Sequence, residues 1–102
     1  MEKDVLTIIV NYLKDHNIHA YLTETGPFIY IKMEEMRWYT ELNRIDIELS
    51  NQEIRISQPT DNFGIAYIIL LSHPNVLDLI VENINNRIVK YTKSSRLQIL
   101  IK

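Results

Sequence analysis

Two stretches of this chain resemble each other: 4–32, DVLTIIVNYLKDHNIHAYLTETGPFIYIK, and 75–102, NVLDLIVENINNRIVKYTKSSRLQILIK. With one gap at Asn17 they align over 28 positions, nine of them identical: Val5/Val76, Leu6/Leu77, Ile9/Ile80, Val10/Val81, Ile18/Ile88, Tyr21/Tyr91, Ile29/Ile99, Ile31/Ile101 and Lys32/Lys102. Leu13 meets Ile84, so the apolar helical stripe of the first stretch transfers whole to the second. Each reads as a helix followed by two short strands, and self-similarity on this scale is the mark of a repeated supersecondary unit. A one-sided helix and a lone hairpin cannot bury their apolar faces by themselves. Two such α-β-β units must therefore pack on each other or on what lies between them. That arrangement leaves a groove between units, a common place for a ligand.

The local signals fill in the rest. Val5, Leu6, Ile9, Val10 and Leu13 recur at helical spacing, Asp4 suits the helix start, and Asn17 suits its exit because it tolerates the left-handed conformation. Residues 18–23 and 28–33 read as strands around the turn Glu24-Thr25-Gly26-Pro27. Residues 44–58 form the clearest hairpin. With Asn51-Gln52 as a two-residue loop, Leu49 faces Ile54, Glu48 faces Arg55 and Ile47 faces Ile56, which stacks apolar on apolar and pairs opposite charges. Residues 34–43 fit either a helical turn or a strand. The apolar run at 63–71 favours a strand by its length and isoleucine content, with a helix as the alternative. Residues 75–86 read as a second helix, and 87–92 and 97–101 as two final strands around Lys93-Ser94-Ser95-Arg96. The expected fold is a single α+β domain over 1–102: two similar α-β-β units, at about 4–32 and 75–102, around a central β-hairpin, in a mostly antiparallel sheet.

Composition narrows the function classes. The 102 residues include no cysteine, which excludes disulfides, a thiol nucleophile and zinc-thiolate sites. The longest unbroken apolar run, 65–71, is far short of the roughly 20 residues that span a bilayer, and the acidic start does not read as a secretory signal. An intracellular location follows as the expectation. Gly occurs only at 26 and 64, so no phosphate-cradling loop is present. His16 and His19 have a metal-compatible spacing but no evident third ligand, and they read as capping or surface residues. Ser72, His73 and Asp78 are triad residue types, yet Ser72 and His73 are neighbours at a helix start, where capping explains both. Glu34 and Glu35 are adjacent and point apart in a strand. Neither an enzyme nor a cofactor or metal is expected.

Recognition is the better expectation. Met36-Arg37-Trp38-Tyr39 concentrates the side chains enriched at binding hot spots, although Trp38 equally suits a core position. Met36, Trp38, Tyr39 and Tyr67 are the expected lining of a groove that holds a peptide or protein segment by strand addition. The net charge is −2, yet Arg87, Lys90, Lys93, Arg96 and Lys102 follow one another with no acidic residue between them. Lys90, Lys93 and Arg96, with Tyr91, therefore form a basic face on the expected C-terminal hairpin. They support an alternative, nucleic-acid binding, while pairing of this face with the acidic middle of a second copy supports a homo-oligomer.

The size, the lack of cysteine, the 17 Ile, 9 Asn and 6 Tyr, and runs such as FGIAYIILLSHPNVLDLIVENINNRIVKYTK give the chain a particular character. In these respects it resembles the small orphan proteins of filamentous viruses of hyperthermophilic archaea such as Acidianus. The resemblance implies a viral protein of unknown function, without close cellular relatives, working in the cytoplasm of an archaeal host.

Overall fold

The structure, a computed structural model, describes residues 2–23, 28–32, 44–58 and 66–101, with the backbone alone for Glu2, Lys3, Phe28, Lys32 and 89–101. It is an α+β fold in which helix α1 (Glu2–Asp15) precedes five strands and helix α2 (Val76–Ile101) follows them. The strands are β1 (Ala20–Leu22), β2 (Phe28–Lys32), β3 (Arg44–Ser50), β4 (Glu53–Ser57) and β5 (Tyr67–Leu70). They form one antiparallel sheet in the order β1-β2-β3-β4-β5, each strand beside its sequence neighbours.

Alternation along the strands explains how the layers form. Ile29, Ile31, Ile45, Ile47, Leu49, Ile54, Ile56 and Ile69 all point to one face and are buried there. Leu6, Ile9, Val10 and Leu13 of α1, with Ile80, Val81 and Ile84 of α2, cover them. Period-two burial in the sheet thus meets period-3.6 burial in the helices, which gives a two-layer fold. α1 lies on β1 and β2, α2 lies on β5, and the helices touch each other. Tyr12 of α1 donates its phenolic hydrogen to the Asp78 carboxylate of α2 across that contact.

The central hairpin has the expected register. Leu49 pairs with Ile54, Glu48 with Arg55 and Ile47 with Ile56. Asn51 and Gln52 have φ of 49° and 61°, the two left-handed residues of a type I′ turn, whose twist suits the flanking strands. Asn17 has φ of 62° and ends α1 as expected. Its N–H donates to the Lys14 carbonyl at 3.0 Å, and the Ile18 N–H donates to that of Leu13 at 2.9 Å, while Leu13 and Ile18 are both buried. This is a Schellman closure, in which the last carbonyls find donors and the chain turns back onto the sheet.

The C-terminal stretch departs from the expectation. Strands at 87–92 and 97–101 are not formed; α2 runs unbroken through both, to Ile101. The basic hairpin carrying Lys90, Lys93 and Arg96 is therefore not formed, and the second α-β-β unit expected to wall the groove is not seen among the described residues. The internal repeat is not shown by the structure, in which only the helical parts of the two stretches correspond. The physical reason is local. No Gly or Pro occurs from Asn75 to the end, and the single gap in the alignment removes the counterpart of Asn17, the residue that stops α1. Ile80, Ile84 and Ile88 continue the stripe at four-residue spacing, and Arg87 Nε donates to Asn83 Oδ1 at 2.8 Å, one turn back. The residues 34–43, 24–27 and 63–65, on which other expectations rested, lie outside the described residues. Residues 67–70 of the apolar run are strand rather than helix.

Candidate interaction surface

Both helices occupy one face of the sheet, so the other face carries the alternate positions. Across β1 to β4 one row runs Tyr21, Tyr30, Asp46, Ser57, and the next, across β2 to β5, runs Phe28, Glu48, Arg55, Ile68. Tyr21 and Tyr30 stack with ring centroids 5.3 Å apart, a cross-strand aromatic pair that stiffens the β1–β2 ladder. Arg44 and Asp46 pair at 3.2 Å, and Arg55 and Glu53 at 3.5 Å. Through β3 and β4 this face thus carries charges of both signs, which is the make-up of a wet face.

The composition changes at β5. Its four residues, Tyr-Ile-Ile-Leu, carry no charge and no proline. Ile69 is buried under the helices, but Tyr67, Ile68 and Leu70 are 39%, 49% and 59% exposed. Among the described residues no strand lies beyond β5. Its backbone polarity follows from one hydrogen bond. Leu71 N–H donates to the Gln52 carbonyl at 2.9 Å, which makes 52/71 a bonded pair; alternation then makes 54/69 and 56/67 bonded pairs as well. Ile68 and Leu70 consequently aim N–H and C=O away from β4. The Leu70 carbonyl accepts the His73 N–H at 3.0 Å. What β5 offers along its outer rim is the N–H and C=O of Ile68 and the N–H of Leu70, beside two exposed apolar side chains.

Two polar clusters hold the helices in place behind this rim. Arg87 Nη1 donates to Gln58 Oε1 at 2.9 Å and Nη2 to the Ile56 carbonyl at 3.4 Å, which ties α2 to the far end of β4. Tyr12, bonded to Asp78, also stacks on His16 at 4.5 Å. The hydrogen bond to Asp78, then burial, then the negative charge of that carboxylate raise the Tyr12 phenol above its ordinary pKa. His16 Nδ1 lies 2.8 Å from the Tyr12 carbonyl at the end of α1, and His73 Nδ1 accepts the Asn75 N–H at 3.0 Å at the start of α2. Both histidines act as helix caps. Among the described residues no group of three or more His, Asp or Glu is placed to hold a metal ion, and no helix is long and apolar enough to cross a membrane.

Of the expected groove residues, Tyr67 sits on β5, whereas Met36, Trp38 and Tyr39 lie outside the described residues. Lys90, Lys93 and Arg96 fall on the backbone of α2 rather than on a hairpin. The sequence reading missed Ile68 and Leu70. Their signal was available: an uncharged strand without proline in the last position of a meander becomes an unprotected edge. No protein family matches this chain, and neither a curated protein nor a solved structure matches it.

Proposed function

We propose that this chain is an interaction protein rather than a catalyst, and that it holds an extended peptide segment as an added strand along β5. The observation that carries this reading is the rim itself, where outward N–H and C=O groups lie beside exposed Ile68 and Leu70 with no charge to repel a guest strand. Main-chain bonds to Ile68 supply affinity, and alternate apolar side chains of the guest lie beside Ile68 and Leu70. The viral resemblance fits such a role inside a host cell.

The test is retention of peptides from a random-sequence pool on the immobilised protein. Ile68→Pro deletes only an outward N–H, so the internal ladder is kept. Retention is expected to fall at least ~10-fold in Ile68→Pro, about the effect of losing one or two net hydrogen bonds. It is expected to change little between low and high salt, as befits an apolar, uncharged contact. Unchanged retention by a folded Ile68→Pro protein would overturn the reading.

A second reading rests on α2, where Lys90, Lys93 and Arg96 occur on one helix with no acidic residue from 84 onward. Nucleic-acid binding there would weaken steeply with salt, because phosphate contacts release counterions. The absence of any shift of a duplex or single-stranded oligonucleotide at low salt would remove it.

A further inference from the structure

The geometry points to a second copy of this chain as an occupant of the β5 rim, joined through an antiparallel β5–β5 pair about a twofold axis at Ile68. The inference rests on the strand-addition reading and names its partner. Three observations select the partner and the register. First, an isologous contact sets a patch against itself, so a charge at the axis would meet its like; Tyr67–Leu70 has none. Second, Ile68 presents both an outward donor and an outward acceptor. On a twofold axis its N–H therefore meets the carbonyl of the same residue in the other copy, and the reverse. Third, the axis falls at Ile68 and not at Leu70. The Leu70 carbonyl already accepts the His73 N–H, while its own N–H is directed outward. Of the two outward residues of β5, only Ile68 therefore offers a donor and an acceptor together, as a twofold axis requires.

Pairing in this way sets Ile68 against Ile68 on the open face and Tyr67 beside Ile69 on the helix face. Tyr67 and Ile68 gain cross-strand neighbours, and two five-stranded sheets become one continuous sheet. Within β5 only Tyr67, Ile68 and Ile69 of each copy pair directly, so the contact belongs to the weak, small class. Self-pairing and peptide capture then compete for the same rim.

Sedimentation velocity over a concentration series reaching about 1 mM, the range of weak contacts, tests this. The wild-type chain is expected to move from monomer to dimer as concentration rises. Ile68→Glu and Ile68→Lys are each expected to raise the dimer Kd at least ~10-fold, since one substitution places two like charges face to face. An equimolar mixture of the two is expected to dimerise again, because each charge now meets its opposite. That recovery is specific to an axis at Ile68 and is not produced by a merely destabilised fold. A wild-type chain that stays monomeric at the highest concentration would sink the inference, as would two variants that dimerise as the wild type does, or a mixture that fails to recover. Peptide retention separates the two levels: a monomeric chain whose peptide retention is lost in Ile68→Pro overturns self-pairing and leaves strand addition standing, whereas loss of both results removes both.

Discussion

α1 and α2 begin alike and end differently. Val5, Leu6, Ile9, Val10 and Leu13 have their counterparts in Val76, Leu77, Ile80, Val81 and Ile84, and both stripes meet in the same core. The first helix stops after Asp15 and the chain folds back into β1; the second continues to Ile101. The segments that follow repeat Ile and Tyr at matching positions, so the apolar pattern does not account for the difference. The first stretch has Asn17, which takes a left-handed φ and lets two backbone N–H groups close the helix end, and has Gly26-Pro27 further on. The second stretch has no residue in the place of Asn17. A helix without a stop, and without Gly or Pro, continues because each further residue adds a hydrogen bond to a nucleus already formed.

The comparison can be tested from its most costly element downward. Leu13→Ala and Ile84→Ala remove equivalent, fully buried side chains from the two stripes, and each is expected to cost about 2–5 kcal/mol in chemical denaturation. Similar losses would support equal roles for the two helices in one core; a loss below about 1 kcal/mol at either position would show that its stripe is not packed as described. Asn17→Ala removes the short polar side chain that makes the left-handed region tolerable and is expected to cost about 1 kcal/mol, while Asn17→Gly, which has no β-carbon, is expected to be neutral or stabilising. The mirror experiment inserts Asn between Arg87 and Ile88. If a missing stop is what separates the two ends, far-ultraviolet circular dichroism should show less helix after insertion; unchanged helicity would reject that explanation.

A smaller effect concerns the bond between the helices. The Tyr12 phenol has its pKa raised by Asp78, so its protonated form is favoured in the folded chain. The resulting stability is fully present below the ordinary tyrosine pKa of about 10 and is lost as pH rises through the higher folded value. Tyrosinate absorbance should show Tyr12 ionising later than in Asp78→Asn; coincident titrations would remove the coupling.

Much of the fold was legible in the residues. The register of β3 and β4 could be read from Ile45, Ile47, Leu49, Ile54 and Ile56, because a slip of one position would turn every isoleucine to water. Asn17 announced the end of α1 through its tolerance of positive φ. The end of α2 was less legible. Residues 87–101 are rich in β-branched and aromatic side chains and contain a polar Lys-Ser-Ser-Arg step, which is strand chemistry, and the choice of helix depended on what precedes them. The candidate surface was legible only as a list of uncharged residues at 65–71. That Ile69 is buried while Ile68 and Leu70 are exposed depends on which side of the sheet the helices occupy.

The sequence by itself determined the local conformations whose causes are local: the stripe of α1, its stop at Asn17, the turn at Asn51-Gln52 and the pairing across it. Tertiary structure decided what becomes of equivalent apolar residues. Both helices pack on one face because a single sheet has one apolar face to cover, so the alternate residues of β5 are left on the other. β5 is a rim because, among the described residues, it is the last strand of the meander and none pairs beyond it. Neither fact resides in any short window of residues. Both follow from where distant elements meet, and together they place the uncharged edge of β5 where another strand can reach it.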